Sequence, residues 1–315
     1  MRSLMFVANV VALSVSIAWL AMLFLPSAKA VRVRNAFLLR RGGLEAFAWT
    51  PDEVPDDFAT DREQAPEEIR RAVDAAGIPR IQGDWPRALA LESLVIAHAK
   101  QDSPIRADLV TTWNGIVAGG GYCADYVRVY LAAAATAGLF CRQWAFSFDG
   151  FGGHGHTVIE VYVRERQAWA FLDVHNNVYA VRPGTDLPLD VLTLRQALLE
   201  SPFRVEFRRA IAGRLGWPHF DKLADYYRRG AGQWYLWWGN DVIARDAAGR
   251  WGHRARSALG RLPPIVALAT PENEAAIERM ERLRRHVSIA GLAVIGMTVA
   301  LMVQFWLQPV AGRHA

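Results

Sequence analysis

Two long apolar runs without a charged residue lie near the two ends of this chain of 315 residues. Residues 5–25 form the first run and residues 287–308 lie within the second. Because about 20 apolar residues in a helix cross a bilayer, each run predicts a transmembrane helix. A buried core helix is an alternative for each run, and a signal peptide cleaved near Ala28-Lys29-Ala30 is a further alternative for the first. We therefore expect the lipid bilayer to be one partner of this chain.

Basic residues border both runs on the side of the central segment. They are Lys29, Arg32, Arg34, Arg40 and Arg41 after the first run, and Arg279, Arg282, Arg284 and Arg285 before the second. Positive charge flanking a span favours the cytoplasmic side. The pattern thus predicts a cytoplasmic central domain held at the inner (cell) membrane, with a periplasmic domain behind a signal anchor as the alternative.

The charge balance and the cysteines narrow the function classes further. The net charge is +5, and much of the excess lies beside the apolar runs. Basic patches interleaved with aromatic residues are not evident, so we expect no nucleic-acid partner. Cys123 and Cys141 are the two cysteines, and a mostly helical segment between them would hold their thiols too far apart for a disulfide. Two free thiols are typical of a reducing compartment.

Cys123 follows three consecutive glycines, Gly119 to Gly121, and precedes an apolar, alanine-rich run that Gly138 closes. This pattern predicts a loop that ends at a helix N-terminus, with Cys123 in or near the first turn. The helix dipole at that position favours a thiolate, the nucleophilic form of cysteine. Glycines before it would let backbone N–H groups approach a substrate, as an oxyanion hole requires. A small buried hydrophobe is the competing interpretation of Cys123.

Two predicted strands follow the helix and carry a histidine and an aspartate. Alternating residues predict a strand that begins at His156, and Trp169 to Leu172 predict a second strand that ends at Asp173. A polar turn separates the strands, so antiparallel pairing would return Asp173 to His156. Thiol, imidazole and carboxylate are the groups that cysteine catalysis needs as nucleophile, base and base-orienting group.

These segments together resemble the transglutaminase-like superfamily, in its membrane-anchored bacterial type. The resemblance rests on Gly121-Tyr122-Cys123, Ala137-Gly138-Leu139-Phe140-Cys141-Arg142, His156-Thr157-Val158-Ile159-Glu160-Val161 and Trp169-Ala170-Phe171-Leu172-Asp173. It implies a papain-like Cys-His-Asp triad of Cys123, His156 and Asp173. It also implies a cysteine amidase, peptidase or acyltransferase that acts on an amide or acyl bond of a protein or peptide. The family contains members without activity, and no cofactor or metal is implied.

Some alternatives stay open. Val158 replaces an aromatic residue that the family often has, and His154 competes with His156 as the base, although the strand pattern starts from His156. A metal shared by His154, His156 and Asp173 is another interpretation. The main alternative function is a catalytically silent membrane scaffold, or a glycan- or peptide-binding protein, in envelope or polysaccharide assembly.

The predicted fold class is α+β, with a papain-like helix on an antiparallel sheet. Residues 26–86 are expected to form a juxtamembrane segment and linker, 87–185 the transglutaminase-like core, and 186–286 a helical, aromatic-rich extension. Core packing, a membrane-interface belt and a ligand-stacking platform are the interpretations of that extension. Its aromatic residues are Trp217, Phe220, Tyr226, Tyr227, Trp234, Tyr235, Trp237, Trp238 and Trp251.

Overall fold

The protein is described by a computed structural model. Its described residues are 2–21, 27–100, 103–201, 204–212, 219–247, 249, 252 and 262–306. Positions 22–25 of the first predicted span and 307–308 of the second lie outside them, as do Trp217 and Trp251. The described residues form an α+β fold, as the sequence predicts.

Helices and strands follow one another along the whole chain. The helices are α1 Arg2–Ala21, α2 Ala28–Leu38, α3 Glu67–Ala75, α4 Asp84–Ile96, α5 Leu109–Val117, α6 Cys123–Thr136, α7 Val191–Glu200, α8 Leu223–Gly230, α9 Val242–Ala247 and α10 Glu274–Trp306. The strands are β1 Leu39–Gly42, β2 Cys141–Ser147, β3 Gly155–Val163, β4 Ala168–Leu172, β5 Val178–Val181, β6 Glu206–Arg209, β7 Trp234–Trp237 and β8 Ile265–Leu268.

A six-stranded sheet with the order β1-β8-β7-β2-β3-β4 is the centre of the fold. All neighbouring strands in it are antiparallel except β1 and β8, which are parallel. The sheet is therefore mixed, and the expectation of a purely antiparallel sheet is wrong at this edge. Strands β5 and β6 form a separate antiparallel pair.

Hydrophobic residues on the two faces of the sheet belong to different cores. On β3, Ile159, Val161 and Val163 pack into the core that contains α3 to α6. Val158 on the same strand packs into the second core, with residues of α7, α8 and β7. Because side chains alternate along a strand, β3 joins both cores.

Helix α10 extends from the domain and is long and apolar enough to cross a membrane. Its first turns pack on the domain through Ala276, Ile277 and Met280, which are buried. Farther along, Leu292 is 68% exposed and the apolar side chains face outward. In α1 the described apolar stretch, Phe6–Ala18, is shorter than a span, so one candidate membrane helix is found in the described residues.

Helix α1 lies beside the far end of α10. An apolar groove between them is lined by Phe6, Val10 and Leu13 from α1 and by Thr298, Leu301 and Met302 from α10. Residues 6–13 of α1 thus lie beside the last third of α10.

Two segments contribute more to the sheet than the sequence predicts. Residues 26–86, expected to be a juxtamembrane segment and linker, supply edge strand β1. Residues 186–286, expected to be helical, supply β7, and β8 follows Pro264 within the same segment. Strand β7 is the aromatic stretch Trp234–Trp237, in which Trp234 is fully buried against Phe146. Aromatic residues suit a packed strand, and in the described part of the extension they serve mainly as core.

Candidate active site

Cys123 is the first residue of α6, and the preceding Tyr122 is the N-cap. The carboxylate of Asp125 accepts the backbone N–H of Tyr122 at 3.0 Å and also those of Ile105 at 3.0 Å and Arg106 at 3.2 Å. Asp125 therefore fixes the start of the helix to the loop before it, as a capping side chain does. The thiol lies at the positive end of the helix dipole, as the glycine-cysteine pattern predicts.

The three glycines before Cys123 have a structural task different from the one expected. Their N–H groups bond to backbone carbonyls, from Gly119 to Ile116, from Gly120 to Gly115 and from Gly121 to Ser103. The N–H groups of these three glycines are therefore not available as oxyanion donors. The first N–H groups of a helix have no intrahelical acceptor, and the N–H of Cys123 itself is in that position.

Gly121 is required by close packing. Its φ is +120°, a conformation that residues with a side chain rarely adopt. A Cβ at this position would lie 2.8 Å from Cε2 of Tyr126. The hydroxyl of Tyr126 also donates to the carbonyl of Gly120 at 3.0 Å. The glycine loop and the first turn of α6 thus form one rigid unit that holds Cys123.

His156 lies near the start of β3, opposite Phe146 of β2. Its side chain is buried and hydrogen-bonded to Asp173, and it lies near enough to Cys123 for the charge of a thiolate there to act on the ring. The distance from Nε2 of His156 to Oδ2 of Asp173 is 2.5 Å. Because Nε2 faces the carboxylate, Nδ1 is the ring nitrogen that remains for the thiol. The structure thus brings together Cys123, His156 and Asp173, the three residues selected from the sequence.

Strand pairing explains why Asp173 reaches His156. Strands β3 and β4 are antiparallel with Ile159 opposite Leu172, so Asp173 follows β4 beside the beginning of β3. The backbone of Asp173 forms two hydrogen bonds with Val178, which closes the turn after β4. His154, the competing base, is exposed and lies beside Phe148.

Asp173 is fully buried and accepts four hydrogen bonds. Oδ2 accepts from His156, from Nδ2 of Asn176 at 2.8 Å and from the hydroxyl of Tyr227; Oδ1 accepts from the backbone N–H of Asn176 at 3.0 Å. Buried carboxylates need such partners to remain ionised. Asn176 and Tyr227 were not selected from the sequence. Asn176 stands in a run of turn-forming residues after Asp173, but nothing local distinguishes Tyr227 from its aromatic neighbours.

The negative charges of Asp173 and Cys123 favour a protonated His156, and the positive charge of His156 favours an ionised Asp173. Burial acts to lower the pKa of His156, but the negative charges of Asp173 and Cys123 outweigh it and raise this pKa to about 10. Burial acts to raise the pKa of Asp173, yet the imidazolium of His156 and the donors around the carboxylate lower it. The arrangement therefore favours a charged imidazolium beside an ionised aspartate.

Aromatic rings surround the triad. Tyr226 lies edge-on to His156 with ring centroids 5.7 Å apart, and Tyr122 stacks on His175 at 6.0 Å. Tyr122 is 42% exposed, and Cys123 is partly exposed while His156 and Asp173 are buried. Cys123 is thus the most solvent-accessible of these three residues.

The loop before His156 is attached to the helix that follows α1. Nδ2 of Asn35 on α2 donates to the carbonyl of Phe151 at 2.9 Å, and Arg32 forms an ion pair with Asp149 at 3.1 Å. Phe151 is fully buried with φ of +64°. These contacts fix the glycine-rich loop against α2.

Among the described residues, no group of three or more His, Cys, Asp or Glu side chains is arranged to hold a metal ion. No family model matches the sequence, and no curated protein or solved structure matches it significantly. The chemistry of the site is therefore argued from its own geometry.

Proposed function

We propose that this protein is a membrane-anchored cysteine enzyme of the transglutaminase-like, papain-like type that acts on an amide or acyl bond. The observation that carries the proposal is the position of Cys123 beside His156, whose ring is hydrogen-bonded to a buried Asp173. A thiol at a helix N-terminus, a buried base and an ionised base-orienting group are what nucleophilic cysteine catalysis requires. The sequence segments that resemble the superfamily contain all three residues.

In the first half of the reaction the Cys123 thiolate attacks the carbonyl carbon of the substrate. The C–S bond forms while electrons move to the carbonyl oxygen, and the N–H of Cys123 is placed to stabilise that oxygen. When the tetrahedral intermediate collapses, the carbon–nitrogen bond breaks and His156 gives its proton to the leaving amine. Asp173 keeps the imidazole oriented and compensates its charge. The product of this half is an acyl-thioester on Cys123.

In the second half His156 takes a proton from the acceptor, and the acceptor attacks the thioester carbonyl. Water as the acceptor releases a carboxylic acid and makes the enzyme a hydrolase. An amine as the acceptor forms a new amide and makes it an acyltransferase. In both cases the C–S bond breaks, and the Cys123–His156 pair is restored.

Acylation by p-nitrophenyl acetate tests the proposal with the full chain in detergent. We expect a burst of p-nitrophenolate, about one equivalent per protein, and an acetyl group on Cys123 detected by mass spectrometry. Cys141→Ala is the matched control, because it removes the other thiol and should leave the burst unchanged. Cys123→Ala and His156→Ala should both abolish the burst.

Equal, slow ester cleavage by the parent protein, Cys123→Ala and His156→Ala would contradict the enzyme proposal. That result would favour the catalytically silent scaffold. If the burst is present, addition of an amine such as glycine methyl ester distinguishes the acceptors. Faster turnover with an amide product indicates transfer, and an unchanged rate with acetate as product indicates hydrolysis.

We further propose that α1 and α10 form an antiparallel transmembrane hairpin with the catalytic domain in the cytoplasm. The outward-facing apolar residues of α10, the groove it shares with α1 and the flanking arginines support this arrangement. A membrane-impermeant maleimide applied to intact cells should leave Cys123 unlabelled until the cells are lysed. Labelling of Cys123 in intact cells would place the domain on the opposite side.

A further inference from the structure

We propose that Tyr227 is a positioning residue of the triad, and that segment 186–286 therefore supplies part of the active site. The inference rests on the proposed function, because positioning has meaning only if Cys123, His156 and Asp173 act together. It adds a fourth residue, contributed from 54 positions beyond Asp173 in the sequence.

The phenol of Tyr227 is held so that its hydroxyl meets the carboxylate. The residue is fully buried, and its hydroxyl donates to Oδ2 of Asp173, the same oxygen that binds His156. The ring stacks on Phe207 with centroids 5.0 Å apart and lies edge-on to Phe171 at 5.7 Å. Rings on two sides restrict the phenol to one orientation, so the hydroxyl is directed by packing.

The main sheet determines where α8 places Tyr227. After α8 the chain enters β7, where Trp234 is paired with Phe146 of β2. Phe146 is in turn paired with His156 of β3. Gly230 ends α8 against the Phe146 ring, where a Cβ would lie 2.1 Å from Cδ2 of that ring. The absence of a side chain at Gly230 thus lets α8 approach the strands that carry the triad.

The hydroxyl is suited to act as a permanent donor. Burial raises the pKa of Tyr227 well above its usual value, and the charge of Asp173 raises it further. The phenol therefore stays protonated and donates to the ionised carboxylate. Nδ2 of Asn176 donates to the Tyr227 oxygen at 3.1 Å and to Oδ2 of Asp173 at 2.8 Å. Tyr227 and Asn176 together prevent the carboxylate from turning away from His156.

Without this hydroxyl the buried carboxylate loses one of its donors. Its neutral form becomes more favourable and its rotation less restricted, and both changes remove the anion that stabilises the imidazolium. If His156 is protonated less readily, its imidazolium stabilises the Cys123 thiolate less. Tyr227→Phe should therefore make the thiol harder to ionise, although residue 227 does not touch the substrate.

The test is the rate of alkylation of Cys123 by iodoacetamide as a function of pH, in the full chain with Cys141→Ala. In Tyr227→Phe we expect the midpoint of the profile to move upward, toward that of His156→Ala. The rate at pH 6 should fall about tenfold, which corresponds to the loss of one hydrogen bond to a charged group. Tyr130→Phe is the matched control, because Tyr130 is equally buried and its hydroxyl donates to the carbonyl of Ala88. Its profile should match that of the parent.

The outcomes separate this inference from the proposed function. If His156→Ala shifts the profile and Tyr227→Phe does not, Tyr227 is structural only and the enzyme proposal stands. If neither variant shifts the profile, the proposed function itself fails. Incorporation of 4-aminophenylalanine at position 227 keeps the ring and restores a donor, so its profile should return toward that of the parent. If the 4-aminophenylalanine protein keeps the profile of Tyr227→Phe or has the midpoint of His156→Ala, the proposed role of the hydroxyl is wrong. If Tyr227→Phe does not fold, the 4-aminophenylalanine protein alone provides the test.

Discussion

His156 and Asp173 are 17 residues apart in the sequence and are joined by a 2.5 Å hydrogen bond from which solvent is excluded. The pair lies at the end of the β3–β4 hairpin, and Cys123 approaches from α6. Helix α6 and the β3–β4 hairpin thus meet at the imidazole of His156. The charge state of that imidazole determines the chemistry of the site.

The first prediction concerns the titration of His156. Its pKa is raised to about 10, chiefly because the charges of Asp173 and Cys123 outweigh burial, so the ring should remain protonated through neutral pH. NMR of the protein with ¹³C-labelled histidine, assigned with His156→Gln, measures this directly. Asp173→Asn should lower the titration midpoint. A His156 signal that titrates near its ordinary value of 6.5 in the parent protein would contradict the ion-pair description.

The same shift predicts a pH-dependent contribution to stability. A histidine whose pKa is raised on folding stabilises the folded state fully below its unfolded pKa, and this contribution is lost as the pH rises through the folded value. The free energy of unfolding of the parent relative to His156→Gln should therefore decrease between about pH 6.5 and pH 10. Urea denaturation in detergent across this range measures the difference. A difference that does not change with pH would show that the folded and unfolded proteins bind the same number of protons at this position.

Glu92 makes a second prediction of stability that falls as the pH rises. It is fully buried on α4, and neither carboxyl oxygen has a hydrogen-bond partner among the described residues. Burial, and then the charge of Asp173, raise the pKa of Glu92 well above its usual value. The folded protein keeps a proton that the unfolded chain releases, so stability is lost as the pH rises above the unfolded pKa.

Glu92→Gln should remove that loss. Its free energy of unfolding should increase relative to the parent by about 1.4 kcal/mol per pH unit between the unfolded and folded pKa of Glu92. Glu68→Gln, at an exposed position of α3, is the control and should show no such trend. Parallel stability curves for the parent and Glu92→Gln would show that the carboxyl group is ionised in the folded protein.

A buried ion pair between β2 and β3 is expected to be important for stability. Nε of Arg142 lies 2.6 Å from Glu160, and both side chains are at most 2% exposed. The guanidinium also lies 3.9 Å from the ring centroid of Trp169. Arg142→Met leaves a buried carboxylate without its partner and should cost about 3–5 kcal/mol.

Replacing both members should cost less than replacing one. Arg142→Met combined with Glu160→Met removes the uncompensated charge, so part of the lost stability should return. Arg282→Met is the control, because its pair with Glu278 is about half exposed and should contribute within about 1 kcal/mol. Denaturant titration of the four proteins measures these differences, and equal losses from the single and double replacements would contradict the prediction.

The two thiols should differ sharply in reactivity. Cys141 is 2% exposed, and burial raises the pKa of its thiol well above the ordinary value. Cys123 is partly exposed at a helix N-terminus. Iodoacetamide at neutral pH should therefore modify Cys123 alone in the folded protein and both cysteines after denaturation, as peptide mass spectrometry can show. Equal labelling of both in the folded state would refute the burial of Cys141.

The sequence predicted best those features of the fold that depend on residues close together in the chain. Cys123 could be placed at a helix N-terminus because glycines and an alanine-rich run adjoin it. Asp173 could be placed beside His156 because a short polar turn joins their strands. Both inferences need only neighbouring residues and the geometry of a hairpin.

Features made by distant segments could not be predicted in the same way. Tyr227 reaches Asp173 because β7 is paired with β2, and no local pattern shows that pairing. The parallel pair β1–β8 joins segments from opposite ends of the chain. The glycines before Cys123 suggested that backbone N–H groups there approach a substrate. The N–H groups of the glycines themselves bond to nearby backbone carbonyls, and these bonds can be identified only in the folded loop.

The most direct test of the central proposal is the alkylation rate of Cys123 against pH in the Cys141→Ala protein. An ordinary thiol has a midpoint near pH ~8.5, and activated thiols have lower midpoints. We predict that Cys123 is labelled much faster at neutral pH than an ordinary exposed thiol, and that His156→Ala loses this advantage. Slow labelling with an ordinary midpoint in the folded protein, unchanged in His156→Ala, would contradict a catalytic Cys123–His156 pair.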